Sequence, residues 1–139
     1  HRGLPTLSIR VLTAQNTAGE LANWFLTQKK ISAVHYPGLP GGDSKGLIGK
    51  QMQGPGAMIA IDMQGGFEAA QTLCKNLAMV THAVSLGSTD TLIQHPAGLT
   101  HRPVASEAKP GQGILRISVG LESPADLIGD FISALNHVN

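Results

Sequence analysis

The sequence predicts an α/β (α+β) two-layer sandwich, a small and mostly antiparallel sheet with helices on one face. Three observations carry that reading. Residues 113–122 alternate strictly, with Leu115, Ile117, Val119 and Leu121 on one face and Ile114, Arg116, Ser118 and Gly120 on the other, because side chains along a strand alternate with period two. Apolar residues recur at threes and fours near both ends of the chain, the signature of amphipathic helices. The predicted order is helix, strand, helix, strand, helix, strand, turn, loop, strand, helix, which gives each part of the sheet a helix to bury it.

The elements follow in order. Over 6–28, Leu7, Val11, Ala14, Ala18, Leu21, Ala22, Phe25 and Leu26 define a long helix, with Pro5 tolerated in its first turn and Lys29 and Lys30 suited to its carboxyl end. Residues 31–36 form a strand stopped by Pro37-Gly38-Leu39-Pro40-Gly41-Gly42. Asp43 is placed to cap a short helix running to about Met52. Gln53-Gly-Pro-Gly56 then breaks the chain before a strand over 57–63. Gly65-Gly66 opens a helix through Phe67, Ala70, Leu73, Cys74 and Leu77. A strand is expected at about 79–86, then a helical turn over 89–93 closed by His95-Pro96. Residues 97–112 hold Pro103 and Pro110 and no clear period, so they read as a long loop of the kind that tends to be functional. After the alternating strand, Ser123 as N-cap, Pro124 and Asp126 start a final helix with Leu127, Ile128, Phe131, Ile132 and Leu135 on its apolar side.

Composition narrows the function classes. The 139 residues make one domain, and only 14% are charged, against about 25% in ordinary soluble domains. So few charges predict that part of the surface is covered by another domain or subunit. The chain starts at His1 without an initiator methionine, and helical periodicity begins almost at once, as expected of a chain that starts inside an element. The net charge is +1 and the one basic cluster is Lys29-Lys30, so nothing tracks a phosphate backbone and a nucleic-acid partner is not expected. No apolar run approaches the ~20 residues of a membrane span, and no signal peptide is visible. A single cysteine, Cys74, in a helical stretch predicts a buried structural thiol in a cytoplasmic protein.

Most short motifs fail on spacing. Gly54-Pro-Gly56 and Gly111-Gln-Gly113 lack the third glycine and the strand-to-helix setting of a dinucleotide fingerprint. Six histidines without an H-x-x-x-H or a cysteine pair predict no metal site. Ser85, His101 and Asp90 could be assembled into a triad, but no nucleophile elbow surrounds Ser85. Asp62 and Glu122 read as surface or capping carboxylates. Arg116 is the informative residue: it points away from the aliphatic face, and its planar fork suits a carboxylate. On spacing alone, a solvated or ion-paired arginine is the commoner outcome.

Longer strings add more. Arg2-Gly-Leu-x-Thr-Leu7 with Arg10, Val34-His-Tyr-Pro-Gly-Leu-Pro40, Gly56-Ala-Met-Ile59 with Gly65-Gly66, Ala83-Val-Ser-Leu-Gly87, His95-Pro-Ala-Gly-Leu-Thr-His101 and Leu115-Arg-Ile-Ser-Val-Gly-Leu-Glu122 occur in order. Together they resemble the carboxyl-terminal domain of the pyridoxal-phosphate enzymes of cysteine and methionine metabolism, the family of cystathionine γ-synthase, the cystathionine lyases and methionine γ-lyase.

The resemblance implies the small domain of a fold-type I enzyme. It implies that Arg116 holds the substrate's α-carboxylate, that Ser85 helps fix it, that Thr100 supports the arrangement, and that Asp90 lies toward the entrance and bears on specificity. No catalytic residue is expected in this stretch, because the Schiff-base lysine and the pyridoxal phosphate site belong to a preceding domain. The cofactor would supply the electron sink, and this domain the orientation of an amino-acid substrate. Partners implied are that preceding domain and further subunits, in a homotetramer of dimers with shared active sites. Carbon–sulfur lyase or transsulfuration chemistry on a sulfur amino acid follows, with elimination and replacement both open. Departures fall at Ala14 and Thr17 in the first helix, at Pro55 and Ala57, and in the shortened segment around 106–110. They bear on the active-site wall. The competing reading is a free-standing amino-acid-binding or regulatory module without catalysis.

Overall fold

The computed structural model describes residues 2–99 and 111–139. A 3-10 turn, Leu4–Thr6, leads into α1, Leu7–Phe25. Then come β1 (Ile31–His35), β2 (Met58–Met63), α2 (Gly66–Asn76), β3 (Thr81–His82), β4 (Leu92–Gln94), α3 (Pro96–Leu99), β5 (Ile114–Ser118) and α4 (Pro124–Leu135). The sheet runs β1-β2-β5-β4-β3. Its neighbours are antiparallel except for the short parallel pair β3 and β4. One core joins the two layers: Ile59, Ile61, Ile93, Leu115 and Ile117 from the sheet meet Leu21, Phe25, Leu73, Leu127 and Phe131 from α1, α2 and α4. The predicted two-layer sandwich is therefore the observed one.

Helix α1 divides along its length. Its second half, from Ala14 to Phe25, supplies the buried residues, while Leu4, Ile9 and Leu12 near its start are 64%, 66% and 57% exposed. Val84 and Leu86 are exposed as well, so the apolar surface foreseen from the low charge content is present. No helix among the described residues is long and apolar enough to cross a membrane. Cys74 is buried, and burial pushes its thiol up to about 11. That protonated thiol is a packing group.

Two charged side chains tie helix α4 to the rest of the chain, Lys30 at its carboxyl end and its own Asp130. Lys30 Nζ donates to the carbonyls of Leu135 and Val138 at its carboxyl end. Asp130 accepts the backbone N–H groups of Ala78, Met79 and Val80 at 2.8, 2.9 and 3.1 Å, tying the approach to β3 onto the helix. Pro124 and Asp126 occupy the first turn as predicted, but Ser123 makes no side-chain cap bond.

Three local expectations are corrected. The strand predicted over 79–86 pairs only at Thr81 and His82, because its single neighbour β4 is three residues long and the chain then leaves the sheet edge. The helical turn predicted over 89–93 is instead strand β4, whose Ile93 is drawn into the core beside Ile117. Long-range burial overrides the local pattern there. The helix predicted after Asp43 is absent: residues 43–52 form turns with an isolated bridge between Ile48 and Met52. Gly46 at φ +60° leaves the helical region, and Asp43 instead accepts N–H groups four and five residues on, from Leu47 at 2.9 Å and Ile48 at 2.8 Å.

Those two bonds hold the Asp43 carboxyl below its ordinary 3.8. A lowered folded value means that the turn gains stability above the unfolded pKa and loses it as pH falls through the folded one. The amide resonances of Leu47 and Ile48 should therefore shift together in acid, with a midpoint below 3.8. A midpoint at or above that value would show that the carboxylate does not hold the turn.

Candidate substrate-carboxylate site

Arg116 sits at the centre of the middle strand. Leu115 and Ile117 are fully buried against the helices, so alternation places Arg116 on the opposite, open face of the sheet. Its cross-strand neighbours are Ala60 on β2 and Gln94 on β4. Ala60 contributes only a methyl group to that face.

Among the described residues Arg116 makes one hydrogen bond, from Nη2 to the backbone carbonyl of Ser85 at 2.9 Å. Its Nε is buried without a partner, and so is Oε1 of Gln94 on the facing strand. An unpaired buried polar atom costs about 1–3 kcal/mol, more when the group is charged. Beyond the donor given to Ser85 O, the planar fork of the guanidinium suits a carboxylate. Arg10 on α1 donates to Gly3 O at 2.7 Å and Thr6 Oγ1 at 3.2 Å.

The backbone that meets Arg116 is laid along the same strand. Every side chain from Val84 to Asp90 is exposed, so apolar burial does not hold this segment. Hydrogen bonds to alternate positions of β5 and its continuation do. Ser85 O accepts from Arg116, Gly87 N–H donates to Ser118 Oγ at 3.0 Å, and Thr91 N–H and Oγ1 both reach the Glu122 carboxylate at 2.6 Å. Thr91 Oγ1 also accepts from Gly120 N–H at 2.9 Å, and Thr89 O accepts from Leu121 N–H at 2.8 Å. Gly120 is required by close approach: a Cβ there would lie 2.3 Å from Thr89 O and 2.6 Å from the backbone carbon of Asp90.

The residues singled out from sequence are thus only partly brought together. Arg116 and Ser85 meet, but through the serine carbonyl, in irregular backbone beyond β3. Asp90 is exposed in the same segment, its N–H donating to Ser88 Oγ at 3.3 Å. Thr100 and His101 lie outside the described residues, as does most of the predicted loop, which opens with α3. Glu122 caps Thr91 and lies beyond the opposite end of β5 from Asp62, which faces Ile114, so the two carboxylates are not a pair. Ser118 and Gly120, which alternation puts on the face of Arg116, carry the strand's share of this network with Glu122; Thr91 is the partner that no local pattern singles out.

A family model described as Cys/Met metabolism PLP-dependent enzyme matches residues 1–136. The chain belongs to this family. An L-methionine gamma-lyase of Brevibacterium sandarakinum is 59% identical over 98% of the chain and 35% of its own length. A cystathionine gamma-synthase of Mycobacterium bovis is 38% identical over 96% of the chain and 35% of its own length. Among solved structures, a cystathione gamma lyase of Micromonospora echinospora superposes with a TM-score of 0.88 at 40% identity, covering 97% of this chain and 36% of that one. The chain spans about a third of the length of the curated relatives it matches.

Members of this family are pyridoxal-phosphate enzymes, and the described residues do not by themselves make a site for that cofactor. Lys29 and Lys30 precede β1, Lys45 and Lys50 lie in the 43–52 turns, and Lys75 on α2 donates to Gln71. None stands on the strands beside Arg116. What this face offers among the described residues is the Arg116 guanidinium, whose fork suits a carboxylate.

Proposed function

We infer that the chain is the carboxyl-terminal domain of a pyridoxal-phosphate carbon–sulfur lyase of methionine γ-lyase type, and that it orients the α-carboxylate of a sulfur amino acid through Arg116. The observation that carries this reading is Arg116 on the sheet face away from the helices, its guanidinium held by the Ser85 carbonyl, in a chain 59% identical to an L-methionine gamma-lyase. Ser85 and Asp90 line the approach, with Thr100 assigned a supporting role and Asp90 a part in substrate choice. The cofactor and its lysine belong to the preceding domain, which would cover the apolar start of α1. A cytoplasmic homotetramer, with an amino acid as its small-molecule partner, completes the proposal.

The test is to express the full-length protein with pyridoxal phosphate and offer it L-methionine. Release of methanethiol and a 2-oxo acid supports the reading. Formation of cystathionine from an activated homoserine and cysteine, without thiol release from methionine, would move it to the synthase branch. If the amino acid binds in an Arg116-dependent way and nothing turns over, the chain is a binding module instead.

A further inference from the structure

The segment from Ser85 to Asp90 carries the carbonyl that holds Arg116, yet it has no buried side chain of its own. Its attachment therefore depends on a few polar ties, and these are unequal. Ser118 gives one neutral acceptor at 3.0 Å. Glu122 gives a carboxylate with two donors from one residue, both at 2.6 Å, and charge-assisted bonds of this kind are the stronger class. The residue it grips, Thr91, is fully buried and marks where the exposed segment enters β4. Thr91 in turn accepts from Gly120, where the missing Cβ lets the segment lie against the strand.

We propose that Glu122, acting through Thr91, is a positioning residue for the α-carboxylate site: it fixes the 85–91 segment on the continuation of β5, so that the Ser85 carbonyl holds the Arg116 guanidinium ready for substrate. The inference rests on the carboxylate reading of Arg116 given above. In this role Glu122 acts through Thr91 and Arg116, and its loss loosens the guanidinium without removing it, so the effect falls mainly on affinity for substrate.

The test compares three variants of the full-length, cofactor-loaded enzyme. Glu122→Gln removes the charge and one acceptor oxygen; Thr91→Val removes the hydroxyl while keeping size and backbone. Each is expected to raise KM for the amino acid about tenfold and to leave kcat within about twofold, the pattern of lost binding without lost chemistry. A purely structural role would instead lower Tm and the active fraction with KM unchanged, and that result in both variants overturns the proposal. Arg116→Ala is the control. If it raises KM while Glu122→Gln and Thr91→Val do not, the positioning role is wrong and the carboxylate reading stands. If Arg116→Ala leaves KM unchanged, the carboxylate reading has failed and the positioning role falls with it.

Discussion

Arg116→Ala in the full-length enzyme is expected to raise KM for the amino-acid substrate about 100-fold and to lower kcat about tenfold, the loss of a charge-assisted fork at roughly 1.5–3 kcal/mol per bond. The strand keeps its place, because Leu115 and Ile117 remain in the core and the β2 and β4 ladders do not use the arginine side chain. Loss of substrate affinity should therefore come without loss of fold. The fall in kcat follows because a substrate not gripped by its carboxylate is less well aligned for reaction. Arg116→Lys should recover little, since an ammonium offers a point charge in place of a planar fork. Steady-state kinetics with circular dichroism on the same samples decide the matter. Unchanged KM with intact secondary structure would remove Arg116 from the substrate site.

Phe131→Ala is expected to cost about 3–5 kcal/mol of folding stability, the usual range for emptying a buried aromatic site. Phe131 on α4 is fully buried, meets the ring of Phe25 edge to face at 4.9 Å, and lies 6.5 Å from that of Trp24. It is the meeting point of the first and last helices, so the void cannot be filled without moving one of them. Against a typical total of about 5–15 kcal/mol, such a loss is large. Phe131→Leu keeps most of the volume and should cost well under half as much. Urea unfolding at constant m reads both. A midpoint unmoved by Phe131→Ala would mean that the core is not centred on this helix pair.

How much of this was legible in the sequence depended on element length and on whether a side chain carried the information. Helices α1, α2 and α4 and strands β2 and β5 fell within a few residues of their predicted bounds, because each is long enough for its period to repeat. Strand β4 was not legible: three residues cannot show a period, and its identity comes from pairing with β5 some twenty residues away. Arg116 could be placed on the open face by counting in twos. Its hold on Ser85 could not, since that bond ends on a backbone carbonyl, which every residue has. Asp43 was recognised as a capping group, and the glycine three residues later decided that it would cap a turn and not a helix.

The middle position of β5 has a consequence for how the chain is made. Residues 31–94 contribute two pieces of sheet, β1 with β2 and β3 with β4, and neither touches the other until residues 114–118 slot between them. Helix α4, which packs against both α1 and α2, emerges later still. On the ribosome, a nascent chain that has exposed everything up to Gln94 holds two open strand edges and the apolar faces of two helices. It cannot close its core before α4 has left the exit tunnel, so the interval over which residues 95–135 emerge is when aggregation threatens and a chaperone has most to protect.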